Sequence, residues 1–147
     1  MTRRTAAAWS LGLLLLLPTS LCGPAWGADG AATLLDTDWQ LSSLGGTALQ
    51  LAQGQRQPHL SLHEQDGRVS AWLGCNAAGG SYVLSGAQLS FGPLRSTRMA
   101  CRQGMDLEHG LADALRNTTS WEITGQQLQL FDAAGAPLAR FEPRPAP

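Results

Sequence analysis

From residue 39 onward the apolar positions fall mostly at every second place, in short runs parted by glycine-bearing turns. Trp39-Gln40-Leu41-Ser42-Ser43-Leu44 alternates as a half-buried strand does, and Gly45-Gly46 ends it. Residues 47–57 are rich in Gln and read as a weak strand or a loop. Pro58 to Leu73 predicts a hairpin folding at Asp66-Gly67, a dipeptide whose two positions both tolerate positive φ. Setting Gln65 opposite Arg68 puts Leu62 across from Ala71 and Leu60 across from Leu73, all on one side. His63 then faces Ser70 and Ser61 faces Trp72 on the other side, the segregation that one buried face requires. Ser81–Leu84 and Leu89–Phe91 form a second hairpin around Ser85-Gly86.

Residues 104–117 change period. Leu107, Leu111 and Leu115 recur at every fourth position with Ala114 beside them, which predicts one amphipathic helix. Asp106 and Glu108 suit its positive N-terminal end, Arg116 its C-terminal end, and Asn117 a left-handed stop. Gly110 weakens such a helix by up to about 1 kcal/mol relative to Ala. Trp121–Thr124, Leu128–Phe131 and Leu138–Phe141 add three closing strands. The pattern predicts a mostly β (α+β) fold: a small antiparallel sheet or barrel-like domain of about seven or eight strands, with one helix packed on it.

The first residues have a different character. Arg3 and Arg4 precede the apolar run Leu11–Leu17, Pro18 ends it, and Ala25-Trp26-Gly27 places small residues where a signal peptidase reads. A signal peptide over 1–27 is therefore expected, followed by one domain over 28–142 and a loose Pro-rich tail over 143–147. The run is shorter than the roughly 20 residues of a membrane helix, so no transmembrane segment is expected after cleavage. The expected location is periplasmic or secreted. Lipid anchoring through Cys22 is the alternative, although Leu21 and Thr19 stand where a small residue and a Leu are wanted.

Beyond the signal the chain carries eight arginines against eleven acids, a net charge of −3, and no lysine. That balance excludes a nucleic-acid partner, which needs a basic face. Cys75 and Cys101 are the two cysteines left after signal cleavage. A reactive thiol or a metal ligand is one reading, and a disulfide is the one an oxidising compartment favours. Such a bridge stabilises by about 3.5 kcal/mol through chain entropy.

Gly74-Cys75-Asn76, followed by Thr97-Arg98-Met99-Ala100-Cys101, is the most specific pattern in the chain. Leu35, Trp39-Gln40-Leu41, Gly80-Ser81-Tyr82, Leu89, Phe91, Glu108, Leu111, Leu128-Gln129-Leu130, Gly135 and Phe141 accompany it in order. Together they resemble the META domain family, which includes the HslJ-like heat-inducible proteins of the bacterial envelope. The resemblance implies an envelope protein linked to heat and novobiocin stress, without an established catalytic activity or known active-site residues. One departure is Ala77-Ala78, where the family often has a basic residue after Gly-Cys-Asn. Gly74, Asn76, Gly80, Tyr82, Thr97 and Met99 are expected to be structural members of the motif.

Candidate chemistry is sparse. His59 and His63 share a strand face about 13 Å apart at roughly 3.3 Å per residue, too far to chelate one ion. Of Asp106, Glu108 and His109, only Asp106 and His109 stand at neighbouring helical spacing, and acids in a first turn are ordinary caps. No Ser lies in a Gly-x-Ser-x-Gly elbow. No catalytic residue, metal or cofactor is therefore expected. Trp39 and Trp121 are expected in the core, whereas Trp72 falls on the outward face with His59 and His63 and is the best candidate for a binding patch. The loop before the helix is a place to display Arg98 as a candidate binding residue or to give it a structural role, while Met99 is expected to plug the core and Thr97 to satisfy backbone groups. The sequence thus points to an exported, non-enzymatic domain that supports envelope stress tolerance by binding an envelope protein or a small apolar ligand. The alternative is a secreted inhibitor of a hydrolase, either a protease or lysozyme.

Overall fold

In the computed structural model, residues 32–145 are described. The first strands are β1 (Trp39–Leu44), β2 (Thr47–Ala48), β3 (His59–His63), β4 (Arg68–Trp72) and β5 (Ala77–Ser85). There follow β6 (Gln88–Phe91), β7 (Arg95–Ser96), the helix α1 (Met105–Asn117), β8 (Ser120–Thr124), β9 (Gln127–Phe131) and β10 (Pro137–Pro143). The expected signal peptide and Cys22 lie outside the described residues. Among the described residues, no helix is long and apolar enough to cross a membrane.

Alternation turns one face of each long strand inward. Trp39 and Leu41, Leu60 and Leu62, Val69 and Ala71, Leu128 and Leu130, and Ala139 and Phe141 are all buried. The sheet carrying them runs β1-β3-β4-β5-β6-β8-β9-β10, wholly antiparallel, and β10 pairs back onto β1. Eight strands thus close a ring, which removes the free edges at which sheets aggregate. β2 folds back on β1, and β7 pairs with β5 at Ala78↔Ser96 and Gly79↔Arg95. The narrowest seam is β6–β8, paired at Gln88↔Ser120. It is held further by Leu89 N–H on Thr119 O (3.1 Å), Trp121 N–H on Ala87 O (3.1 Å) and the Trp121 indole on Gly86 O (3.0 Å).

The helix buries Leu111, Ala114 and Leu115 in the same core and touches β10 and β1 on one side of the ring and β6 on the other. It therefore lies across an opening of the ring. Gly110 has a packing reason, because a Cβ there would stand 2.9 Å from Leu44 Cδ2. The residue that weakens the isolated helix lets it approach β1. Trp39, fully buried, satisfies its indole N–H on Leu34 O at 3.0 Å.

Three expectations need correction. The first hairpin pairs His63 with Arg68 and Leu60 with Ala71, a register two residues away from the one expected. Asp66 does not take positive φ, so the two-residue turn is replaced by the loop 64–67 with Gly67 alone at φ 62°. Gly67 N–H meets His63 O at 3.1 Å, and the Asp66 carboxylate accepts Arg68 N–H at 3.1 Å. A shift of two is one full strand period, so every side chain keeps its face. Secondly, Asn117 stays helical. The helix ends at Thr118, in extended backbone, whose buried hydroxyl donates to Ala114 O at 2.8 Å. Thirdly, β10 runs to Pro143, and Arg144 donates its N–H to Asp38 O at 2.8 Å. Pro143 and Arg144 are thus tied to the domain, and residues 146–147 of the expected tail lie outside the described residues.

Because Asn117 is helical and exposed, Asn117→Gly should lower the unfolding free energy by up to about 1 kcal/mol in urea denaturation. A left-handed residue at that position would instead give a gain.

Candidate functional site

The Gly-Cys-Asn motif sits in the β4–β5 connection, where three segments converge. Gly74 has φ 131°, and a Cβ on it would lie 3.1 Å from Gly104 O. A Cβ on Gly104, at φ 92°, would stand 2.9 Å from Gly74 O. Two backbones meet here at a spacing that only paired glycines permit. Beside them Cys75 and Cys101 form the disulfide, with Cα atoms 5.9 Å apart.

Asn76, only 2% exposed, occupies the centre. A primary amide has two N–H groups and two lone pairs to satisfy. Its Nδ2 donates to Met99 O at 3.2 Å and to the Glu108 carboxylate at 3.0 Å. Its Oδ1 accepts Met99 N–H at 2.7 Å and the Thr97 hydroxyl at 2.8 Å. Asn76 N–H donates to Glu108 Oε2 at 2.7 Å, and its carbonyl accepts Leu73 N–H at 2.9 Å. Glu108 is itself 8% exposed in the first turn of the helix, where the dipole favours negative charge. One residue thus ties the β4–β5 connection to the loop at 97–99 and to the helix. Sequence reasoning treated Glu108 as an ordinary first-turn acid and missed this role. The available signal was its place on the stripe of Leu111 and Leu115, three and seven residues on, where a carboxylate must find a partner.

Met99 is corrected by the structure. Its side chain is 55% exposed, and only its backbone enters the network. Arg98 is likewise exposed. Gly80 allows residues 93–94 to lie against β5, since a Cβ would meet Leu94 Cδ2 at 2.9 Å. The Tyr82 hydroxyl donates to His63 O at 3.0 Å. Burial raises its pKa, and Asp36, Glu64 and Asp66 add to the rise, so the phenol keeps its proton.

Trp72 faces outward from β4, as its sequence position requires. His59 is its direct cross-strand partner, and the Arg56 guanidinium lies over the indole, 4.8 Å from the ring centroid. Arg144 reaches His59 Nδ1 at 3.5 Å and pairs with Asp38 at 2.8 Å. His63 is not part of this cluster and meets Ser70 Oγ at 2.9 Å. Arg56 comes from the β2–β3 connection and Arg144 from the residues after β10, and neither was anticipated. Trp72 Nε1 is buried without a hydrogen-bond partner among the described residues. Separately, Leu73, Phe91, Pro93, Leu94 and Ala112, with Glu108, His109 and Arg116, line a groove of about 640 Å³. Among the described residues, no three His, Cys, Asp or Glu side chains are grouped to hold a metal.

The network sets the cost of disturbing it. Asn76→Asp would set two carboxylates against each other in a buried site and should cost about 3 kcal/mol or more. Glu108→Gln, which puts an amide N–H₂ toward donors, should cost about 1–3 kcal/mol. Denaturant titration of the oxidised proteins measures both, and near-zero values would show that the network does not hold the fold.

Comparison with known proteins agrees with this architecture. The chain is similar to a protein from Burkholderia xenovorans whose NMR structure is known, at 31% identity and TM-score 0.62. That match covers 88% of this chain and all of the other. A second protein solved by NMR, at 23% identity and TM-score 0.58, covers 76% of this chain and 94% of its own and shares the fold. No curated protein matches. The META domain family model matches residues 32–145, the whole described domain. The chain belongs to the META domain family.

Proposed function

We propose that this chain is an exported binding domain of the bacterial envelope that supports tolerance of heat and novobiocin stress by holding a partner, without catalysis. The observation that carries the binding is the orphaned indole N–H of Trp72 beneath Arg56. An unsatisfied buried donor costs about 1–3 kcal/mol, and folding alone gives no return for it. Because Nε1 is covered in the free chain, a partner recovers that cost only by displacing what covers it and bringing an acceptor oxygen to the indole. Arg56, Arg144 and His59 around the indole favour an acceptor that is anionic, and the aromatic plane favours one on a protein surface. The Cys75–Cys101 bridge supports an oxidising location. The stress role rests on the family resemblance, and the groove beside Phe91 is the place for a small apolar ligand.

A second reading, inhibition of a hydrolase, draws on a different observation. The exposed loop that carries Arg98 has its backbone fastened to Asn76.

A photo-crosslinking residue at Ser70, exposed on the Trp72 face, should capture one envelope protein in living cells. Trp72→Ala should abolish that band. A deletion strain should be sensitive to heat and novobiocin, rescued by the wild-type chain and not by Trp72→Ala. Equal rescue by both would refute the Trp72 face, and a deletion strain that grows normally would refute the stress role.

A further inference from the structure

The side chains from Arg95 to Ala100 are all exposed, six in succession. Loops of this composition are ordinarily the places where proteases cut. The backbone here is held as if it belonged to the core. Thr97 N–H donates to Ala77 O at 3.0 Å, extending the pairing of β7 with β5. The Thr97 hydroxyl and Met99 N–H both end on Asn76 Oδ1, and Met99 O accepts from Asn76 Nδ2. Two residues further on, Cys101 is tied covalently to Cys75. Arg98 therefore stands between two fixed neighbours with its own side chain in water. The support beneath it is rigid, because Asn76 is in turn fastened to Glu108 of the helix.

We propose that Arg98–Met99 is the reactive bond of an inhibitory loop for a serine protease whose specificity pocket carries a carboxylate. The proposal deepens the second reading above and names its target. A cation displayed on an ordered backbone matches such a pocket, in the way that an acidic pocket selects Arg or Lys in substrates. Ordering the loop in advance lowers the entropy lost on binding, which is what separates a tight inhibitor from a passing substrate. Complexes of this kind form with little backbone movement, so the arrangement seen here is the one that would dock. The exposed Met99 supplies apolar area beside the charge.

The same contacts explain why binding would not end in hydrolysis. The protease serine oxygen adds to the Arg98 carbonyl carbon, and the C–N bond to Met99 breaks. The protease histidine, having taken the serine proton, delivers it to the Met99 nitrogen, which leaves as a free amine. In an ordinary substrate that amine diffuses away and water takes its place. Here the Met99 nitrogen keeps its bond to Asn76 Oδ1, its carbonyl keeps Nδ2, and Cys101 keeps the disulfide. The amine stays beside the acyl ester, attacks it, returns the proton to the histidine and restores both the peptide bond and the serine. The fold on either side of the break, β7 with β5 before it and α1 after it, keeps the two ends together.

The test is titration of the exported chain, with its disulfide formed, against trypsin as the probe, with chymotrypsin and lysozyme as parallel targets. Stoichiometric inhibition of trypsin is expected, with the chain recovered mainly intact and a minor fraction cut between Arg98 and Met99. Arg98→Ala, a surface change, should weaken inhibition at least about 100-fold, the behaviour of an anchor residue. Arg98→Leu should transfer inhibition from trypsin to chymotrypsin. Thr97→Val removes one hydroxyl bond to Asn76 without touching the core, and should raise the rate of permanent cleavage at Arg98–Met99 several-fold. Rapid, complete cleavage of the wild-type chain without inhibition would overturn the proposal, as would cleavage at Arg102 alone. Inhibition of trypsin unchanged by Arg98→Ala, or inhibition of lysozyme only, would overturn this loop while leaving a hydrolase inhibitor in place. Neither result touches the Trp72 face, which the crosslink at Ser70 reads separately.

Discussion

A buried amide that finds all of its partners rigidifies what surrounds it, and one that misses a partner costs more than an apolar residue would. Asn76 is on the favourable side of that division. Both amide hydrogens and both lone pairs are used, and so are its backbone N–H and C=O. The partners lie in three segments that are distant in sequence: the β4–β5 connection, the loop at Thr97–Met99, and Glu108 of the helix. Nothing about the sheet alone would place that helix. Its apolar stripe only requires that Leu111 and Leu115 be covered, whereas the carboxylate of Glu108 on Asn76 fixes where its first turn must sit. The close pair Gly74 and Gly104 then brings the backbones near enough for these bonds to form.

Closure of the ring and the disulfide complete the constraint. The ring leaves little free edge, yet its β6–β8 seam rests on one residue pair and a few flanking bonds. The helix touches β6 on one side of the ring and β1 and β10 on the other, so it braces the ring near its weakest seam. The same economy shapes the surface. The network uses the polar groups of the motif inward and leaves Arg98 and Met99 outward on a backbone that cannot easily move. On the outer wall of β3 and β4, the Trp72 indole is left with a donor that the fold does not satisfy. One region is over-determined and the other is under-satisfied.

Much of this was legible because alternation carries it. Leu60 and Leu62 face inward and His59 and His63 outward in either hairpin register, since the two registers differ by a full period. The helix was visible in Leu107, Leu111 and Leu115, and the bridge in two cysteines after an expected export signal. What failed was local competition between near-equivalent residues. Asp66-Gly67 permits a two-residue turn or the end of a longer loop, and only the geometry of Asp66 decides. Asn117 and Thr118 both offer a helix stop, and the buried hydroxyl of Thr118 wins. Met99 reads as an apolar plug until the backbone bonds to Asn76 are seen to turn its side chain out. The Arg56 and Arg144 contacts were beyond reach, because segments outside the strands carry no periodicity that shows which side chains they meet.

The most direct test of the central claim is amide hydrogen exchange at Met99 in the oxidised, native protein. If Asn76 holds the loop from beneath, the Met99 amide should exchange as slowly as the strand amides of β3, although its side chain stands in water, while Arg98 and Ala100 exchange fast. A Met99 amide exchanging as fast as those two neighbours would mean that the loop is not fastened to Asn76. The account of both the fold and its exposed loop would then fail together.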